Sequence, residues 1–221
     1  MINFTRVHIT AFVAIAATSW WLTLALRGVP LTRDHLAPFG TVVSIVGAVA
    51  FGLEHLLWHQ RWLHGWFVKR PDLRGTWKVS IQSDWIDRET GKTKSQITAF
   101  MGVVQTLSKL QMHLMTPESE SWFVAHAVHS SPNQKGYQII GVYTNQPAIH
   151  LRSRQSDMHF GAIVIDTHGP SDSKPTSLTG EYWTDRKTRG RMTFSQRIKP
   201  VLSRYDDARA AFTASRTAAP S

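Results

Sequence analysis

The sequence contains no cysteine, which excludes disulfide scaffolds, thiolate zinc sites and cysteine nucleophiles. It also lacks the short motifs of common active sites: G-x-S-x-G, H-E-x-x-H, a Walker loop and a paired-carboxylate signature are all absent. The eleven histidines are scattered along the chain. We therefore predict a protein that is not an enzyme and that uses no metal or cofactor.

Negative charge is also scarce. The chain has 15 Asp and Glu against 25 Lys and Arg, a net charge of +10. The segment from Arg186 to Lys199 is especially basic and contains no acidic residue. This excess favours an anionic partner such as a phosphate, a nucleic acid or an anionic lipid, although a solvated basic face gives the same composition.

Long apolar runs are confined to the first 70 residues. Residues 7–26 carry no formal charge, and residues 39–58 carry only Glu54. At about 1.5 Å rise per residue, each run is long enough to cross a hydrocarbon core of about 30 Å. Trp20 and Trp21 lie near the end of the first run, and Trp58 and Trp62 follow at the end of the second, where indole rings favour the membrane interface. We predict two transmembrane helices rather than a signal peptide and a core helix.

The distribution of Lys and Arg predicts the orientation of these helices. The connecting loop holds two basic residues, Arg27 and Arg33. The flanks on the other side hold five, namely Arg6, Arg61, Lys69, Arg70 and Arg74. Both termini are therefore expected in the cytoplasm, with residues 27–38 outside it.

The second apolar run has two further features. His55 and His59 share a helix face beside Glu54, but no third metal ligand is evident, and polar contacts between helices explain them equally. Four small residues recur every fourth position, namely Gly40, Ser44, Ala48 and Gly52. Such a face is typical of helices that associate in membranes.

After Pro71 the apolar pattern alternates with period two, which indicates strands. Eight segments show it: residues 76–82, 97–106, 109–116, 121–128, 137–144, 158–166, 178–184 and 191–198. No helical period interrupts them, so we predict an eight-stranded antiparallel up-and-down β-barrel, which has no exposed sheet edge. The predicted domains are a two-helix membrane region (1–70), a cytoplasmic barrel (71–200) and a flexible tail or short helix (201–221).

Polar and aromatic residues cluster at the ends of several strands. Tyr182 and Thr184 share one strand face, and Trp183 lies on the other. Arg186 continues that line, while Tyr143 with Asn145, and His159 with Gly161, end other strands in the same way. Arginine matches phosphate oxygens and aromatic rings stack on bases, so the cluster suits a small nucleotide. The alternative is that the aromatic residues belong to the core and Arg186 to the surface.

The order of these pieces resembles a known family. It runs from paired helices to Leu73, Gly75 and Trp77, then Gln105, Ser119 and Ser121, then Tyr143-Thr-Asn145 and His159-Phe-Gly161, and finally Gly180-x-Tyr182-Trp183-Thr184-x-Arg186-x-Thr188-x-Gly190. This pattern resembles the two-transmembrane, β-strand-rich effectors of bacterial CBASS anti-phage defence, the CD-NTase-associated membrane β-barrel proteins.

The resemblance implies a function. In that family a cognate nucleotidyltransferase makes a cyclic dinucleotide, the barrel binds it, and the protein oligomerises in the inner membrane, disrupts the lipid bilayer and kills the infected cell. It implies no direct binding of DNA or RNA. Carried onto this chain, the ligand residues would be Tyr143, Asn145, Tyr182, Thr184 and Arg186, with Trp77, Gln105 and His159 as further candidates. Glycines 75, 161, 180 and 190 would be structural.

Three alternatives remain open from the sequence. The first is a membrane-tethered, lipocalin-like protein that binds a small apolar or anionic ligand without a killing function. The second is an enzyme, for which no catalytic set is evident. The third is a structural or lipid-binding protein that applies its basic face to an anionic membrane.

Overall fold

The structure, a computed structural model, describes residues 6–30, 33–86, 91, 96–130, 136–149 and 158–217. The chain divides into two compact units. One comprises Met1–Gln60 together with Thr106–Ser108, and the other comprises Arg61–Gln105 and Lys109–Ser221. The boundary at Gln60 lies earlier in the chain than the one predicted at residue 70.

The first unit is helical in its described part. Helix α1 covers Arg6–Leu26 and helix α2 covers Arg33–Gly52, followed by a π-helical turn at Leu53–Leu57. The predicted helices are thus present. However, none of the helices within the described ranges combines the length and apolar character needed to cross a membrane, so the predicted transmembrane assignment is not supported.

The second unit contains a closed barrel of eight antiparallel strands, as the alternation predicts. The strands are β1 (Gly75–Ser83), β2 (Ile97–Gln105), β3 (Leu110–Met115), β4 (Ser119–Ser130), β5 (Tyr137–Pro147), β6 (His159–His168), β7 (Ser177–Thr184) and β8 (Arg189–Ile198). Each strand pairs with its sequence neighbours, and β1 also pairs with β8. Two β-bulges, at Lys78/Val79 and Phe123/Ala125, add the local bending that closure requires.

The inward residues of the strands form the core. They alternate with outward residues, most clearly in β6, where every second residue is buried. The largest fully buried members include Trp77, Val79, Ile139, Ile165, Leu178 and Phe194. Leu73 adds to this cluster just before β1 begins. One end of the barrel is therefore filled by side chains.

Polar contacts join the first and last strands at this filled end. Asp72 accepts two hydrogen bonds from the Arg74 guanidinium at 2.9 Å, and Arg197 of β8 donates to the Asp72 carbonyl oxygen at 2.7 Å. The Arg197 guanidinium also lies 5.0 Å from the Trp77 ring centroid, within cation–π range. Gly75 opens β1 with φ +114°, and a Cβ there would lie 2.3 Å from the Ile198 carbonyl oxygen. Only glycine fits this position.

Helix α3 (Tyr205–Thr217) occupies most of the segment for which the sequence left a choice between helix and flexible tail; residues 218–221 lie outside the described residues. Asp206 and Asp207 in its first turn favour the positive end of the helix dipole. Ala208 and Phe212 share its apolar face and pack against Phe100 of β2 and Met115 of β3. The helix therefore covers an outer apolar patch of the barrel.

Candidate ligand-binding site

The barrel encloses a cavity of about 420 Å³ at the end opposite the filled one, partly open to solvent. This volume lies within the usual range of small-molecule sites. All eight strands contribute to its lining. Its deeper part is apolar, formed by Ile81, Met101, Met112, Leu114, Ile163 and Met192, and its rim is polar.

Six of the eight predicted ligand residues line this cavity, namely Tyr143, Asn145, His159, Tyr182, Thr184 and Arg186. The strand register explains why they meet. Asn145 pairs with Ser121 on one side and with His159 on the other. Tyr143 pairs with Phe123 and with Gly161, which in turn pairs with Thr184. Residues far apart in sequence therefore lie in two adjacent rows across the barrel wall.

Trp77 and Gln105 do not line the cavity. The Trp77 side chain is fully buried, and its indole Nε1 donates to the Leu73 carbonyl oxygen at 2.9 Å. The Gln105 amide accepts from Leu73 N at 2.9 Å and donates to the Pro71 carbonyl oxygen at 2.8 Å. Both residues point inward, but they lie at the filled end of the barrel, where they hold the segment that enters β1.

The β7–β8 hairpin positions Arg186. Thr184 N donates to the Thr188 carbonyl oxygen at 2.9 Å, and the hydroxyls of Thr184 and Thr188 lie 2.7 Å apart. Lys187 adopts φ +62°, a left-handed conformation that tightens the turn. Asp185 ties the turn to β6 by accepting from Phe160 N at 3.1 Å. Arg186 is thereby held at the cavity rim on an ordered turn.

Two tyrosine rings lie over glycines of neighbouring strands. A Cβ on Gly161 would lie 2.4 Å from the Tyr143 hydroxyl oxygen, and a Cβ on Gly190 would lie 2.7 Å from that of Tyr182. These glycines leave room for the rings to lie flat against the barrel wall. The structure thus gives Gly161 and Gly190 the structural role that the sequence predicts.

Burial sets the ionisation of both phenols. It raises the pKa of Tyr143 well above its ordinary value, and Tyr182 and Asp185 act in the same direction. Burial and Asp84 raise the pKa of Tyr182, against a hydrogen bond from Ser83 that lowers it. Both phenols therefore stay protonated near neutral pH and can donate hydrogen bonds.

The charge of the cavity is smaller than the charge of the chain. Among its Lys, Arg, Asp and Glu residues, the described lining holds only Arg186 and Glu118. The basic excess expected to complement an anionic ligand is therefore not concentrated there. Recognition of an anion in this cavity would depend mainly on Arg186 and on neutral donors.

Sequence reasoning missed several lining residues, including Ser83, Gln96, Thr116 and Glu118, while Thr188 was noticed only as part of the motif order. Ser119 and Ser121 were noticed only as part of the motif order, yet both line the cavity. Strand alternation carried a usable signal, because Ser83 lies two residues beyond the buried Ile81, and Ser119 and Ser121 precede Phe123 at the same spacing.

Metal binding has little support in the described residues, which bring no three His, Asp or Glu side chains together as a potential metal site. His55 and His59 thus have no third candidate ligand among them. The barrel thus has an apolar interior, a polar rim and one arginine at that rim, an arrangement that suits the binding of a small ligand.

Comparison with known proteins identifies this barrel. The family model of the Cap15 cyclic dinucleotide receptor domain matches residues 68–196, which is more than half of the chain and includes all but the end of the barrel. No curated protein matches the sequence. With an eight-stranded barrel of the predicted topology over the matched residues, the chain belongs to the Cap15 cyclic dinucleotide receptor domain family.

Proposed function

We propose that this protein is a CBASS effector whose barrel binds a cyclic dinucleotide made by a cognate nucleotidyltransferase. The observation that carries the proposal is the cavity, which gathers Tyr143, Tyr182, Asn145 and Arg186 inside a barrel of the receptor family. The tyrosine rings offer stacking surfaces for bases, and Arg186 offers a bidentate donor to a phosphate. The apolar floor accommodates the faces of the bases.

Titration calorimetry of the full chain with cyclic di-AMP, cyclic di-GMP and cyclic di-UMP tests this proposal. We expect at least one of the three to bind. Arg186→Ala should weaken that binding on the order of 10–100-fold, because a hydrogen bond to a charged group contributes about 1.5–3 kcal/mol. Arg191→Ala is the matched control, since Arg191 is exposed on the same hairpin and pairs with Glu181. Failure of all three ligands to bind a folded chain would contradict the proposal.

A carrier of an apolar ligand is the second candidate, because the floor of the cavity is apolar. Decanoic acid in the same titration distinguishes the two. Binding of the fatty acid together with no response to any cyclic dinucleotide would favour the carrier.

We further propose that ligand binding leads to oligomerisation. The outer surface of strands β4–β7 supports this, because it exposes five large apolar side chains: Val124, Ile140, Val142, Phe160 and Trp183. We call this surface the β4–β7 apolar patch. Val142 and Trp183 flank Ala162 in one cross-strand row, so the patch is continuous. Exposed patches of this kind often mark protein contacts.

Sedimentation velocity with and without the bound cyclic dinucleotide tests the role of the patch. Trp183 is 51% exposed. Trp183→Glu should therefore abolish ligand-dependent assembly, while the monomer still binds the ligand. Gln111→Glu, on the exposed side of β3, introduces the same charge outside the patch and should assemble normally. Normal assembly of the Trp183 variant would exclude the patch as the contact.

We also propose that the chain acts at the bacterial inner membrane, with both termini and the barrel in the cytoplasm, and that assembly disrupts the membrane. The support is the uncharged run at residues 7–26 and the excess of basic residues on one side of the two runs. Extraction of membranes at alkaline pH should leave the chain in the pellet. A reporter fused after Ser221 that is active only outside the cytoplasm should stay inactive. Recovery in the supernatant, or an active reporter, would contradict this.

The small residues of α2 give the membrane step its own test. A Cβ on Gly40 would meet nothing within 4 Å, so this part of the helix surface is open. Replacing both Ala48 and Gly52 with Leu should preserve ligand binding and abolish toxicity if helices associate through this face. Unchanged toxicity would contradict that role.

A further inference from the structure

The amide of Asn145 at the cavity rim is held in one orientation. Its Nδ2 donates to the Ser121 hydroxyl at 2.8 Å and to the Ser119 hydroxyl at 3.1 Å. A side-chain amide nitrogen has two hydrogens, so both are used within the protein. Ser121 is buried and the Asn145 side chain is half-buried, which limits competition from water.

The hydrogen inventory of the neighbouring hydroxyls agrees with this orientation. The Thr116 hydroxyl donates to the Ser119 carbonyl oxygen at 2.9 Å and lies 3.1 Å from the Ser119 hydroxyl. The Thr116 oxygen also accepts from Ser119 N at 2.8 Å and from Glu118 N at 3.2 Å, which uses both of its lone pairs and fixes Ser119 beside Asn145. The Ser119 hydroxyl oxygen keeps a lone pair for Asn145, so it can accept from the amide nitrogen in the orientation that the two distances give.

The amide oxygen is what remains for a ligand. No donor among the described residues makes a hydrogen bond to Asn145 Oδ1, and the side chain lines the cavity. An amide that is free at both ends can read adenine with a donor and an acceptor together. This amide has no donor left, so it can only accept.

We infer that Asn145 is a specificity-determining residue that reads one base of the ligand through Oδ1 alone, with Ser119 and Ser121 as positioning residues. The inference rests on the proposed binding of a cyclic dinucleotide. The site favours a base that turns a ring N–H toward Asn145, as uracil and guanine do, over adenine, whose pairing edge has an unprotonated ring nitrogen. It disfavours a base that presents a carbonyl or an unprotonated ring nitrogen at that point, because two acceptors would then face each other.

The test is the ratio of dissociation constants among cyclic di-AMP, cyclic di-GMP and cyclic di-UMP, measured on the full chain. We expect the wild type to discriminate among them. Ser121→Ala removes one acceptor from Nδ2, so the amide can turn and present its nitrogen to the ligand. The ratio between the tightest and weakest ligands should then fall about tenfold, which corresponds to about 1.4 kcal/mol. Asn145→Ala should remove the same discrimination.

Two further variants complete the design. Ser119→Ala, which removes the other acceptor, should change the ratio in the same direction and serves if the Ser121 variant does not fold. Ser177→Ala is the matched control, since Ser177 lies in β7 opposite His168, at the filled end, and should keep the wild-type ratio.

The outcomes separate the inference from the proposed function. If the serine variants bind all three ligands more weakly by the same factor, or show no change, the role of Asn145 in specificity is overturned. The proposal that the barrel binds a cyclic dinucleotide is not affected by that result. A wild-type chain that binds all three equally also overturns it. A folded wild-type chain that binds none of them overturns the proposed function as well.

Discussion

Three of the four tyrosines of the chain, Tyr143, Tyr182 and Tyr205, line the cavity. Two of them depend on a glycine in the neighbouring strand. The rings therefore have a fixed position before any ligand arrives, which reduces the entropy lost on binding. The aromatic part of the site is a property of residue pairs rather than of single tyrosines.

Replacement of Gly161 tests this pairing. In Gly161→Ala the new Cβ would lie 2.4 Å from the Tyr143 hydroxyl oxygen and 2.8 Å from the Trp183 carbonyl oxygen. We expect a loss of about 1–3 kcal/mol in the free energy of unfolding, because overpacking forces ring and backbone to move. Denaturant unfolding measures this, and calorimetry should show weaker ligand binding. Gly180→Ala is the control, since its nearest neighbour would lie at 3.3 Å. Equal effects in both variants would contradict the pairing.

Gln105 gives the opposite expectation, a structural effect without a ligand effect. Gln105→Ala leaves the Leu73 N–H and the Pro71 carbonyl without their partner. We expect the free energy of unfolding to fall by about 2–4 kcal/mol, since each unsatisfied buried group costs about 1–3 kcal/mol. The dissociation constant should not change at temperatures where the variant is folded.

Gln138→Ala is the control for Gln105, because Gln138 is half-buried and its amide donates to Asp166 on the neighbouring strand at 3.0 Å. Its loss should be below about 1 kcal/mol. Weaker ligand binding with unchanged stability in Gln105→Ala would instead make Gln105 a ligand residue.

The case of Gln105 and Trp77 shows how far sequence reasoning reaches at this scale. Alternation tells on which side of a strand a residue lies, and both residues do point inward. It does not tell how deep along the barrel axis they lie, because depth depends on the register between strands. Asn145 and Arg186 were singled out because each lies at a strand end, but Gln105 also ends its strand, at the opposite end of the barrel, so this position alone does not indicate the rim.

Among the secondary-structure elements, helix α3 is the one that the sequence left undecided. Its apolar stripe is short, since Ala208 and Phe212 are its only fully buried apolar residues in the described chain. The stripe is buried because it packs against Phe100 and Met115, which face outward from strands far earlier in the sequence. Phe212 stacks on Phe100 with ring centroids 5.2 Å apart. A tertiary contact therefore decides between helix and tail.

We predict that Phe212→Ala detaches α3 while the barrel stays folded. Phe→Ala substitutions in a core lower the free energy of unfolding by about 3–5 kcal/mol. A helix of 13 residues is marginal on its own, so a loss of this size should undock α3. Hydrogen exchange of the α3 backbone amides should rise on the order of 100-fold, with the barrel amides unchanged. Thr213→Ala, at the adjacent exposed position, should exchange like the wild type. An unchanged α3 exchange rate in the Phe212 variant would contradict the prediction.

At the scale of the whole molecule, eight strands were predictable because alternation is a local signal in each of them. Closure into a barrel was predicted from the number of strands, but the side-chain contacts that join the ring could not be predicted from the sequence. Asp72 bonds to Arg74 two residues away, but also to Arg197, which lies 125 positions later. Such pairings depend on the complete ring.

Barrel stability should fall in acid through Asp72. Burial raises the pKa of its carboxyl group, but the hydrogen bonds and charge of Arg74, with the charge of Arg197, outweigh burial and lower it below the ordinary value. The ionised form therefore stabilises the fold above about pH 4, and this contribution disappears as the pH falls through the lowered pKa. Asp72→Asn should reduce the free energy of unfolding by about 1–3 kcal/mol at pH 7.

Denaturant unfolding between pH 7 and pH 2 measures this dependence. The difference between wild type and Asp72→Asn should begin to shrink below about pH 4, where the unfolded chain takes up the proton, and should vanish once the pH is below the lowered pKa of the folded chain. Glu181→Gln is the control, because Glu181 and Arg191 are largely exposed and such pairs contribute about 0–1 kcal/mol. A pH-independent difference would show that Asp72 stabilises the barrel by packing alone.

The pairing of β1 with β8 also has a consequence for synthesis of the chain on the ribosome. Thr76 pairs with Ile198, so about 120 further residues must be synthesised before β1 can pair with β8. At roughly 5–20 residues per second, the nascent chain carries an unsatisfied strand edge for roughly 6–24 s. During this time the edge is open to pairing with other chains. Closure leaves the mature barrel without an exposed strand edge, but it also makes translation the period when the chain is most prone to aggregate.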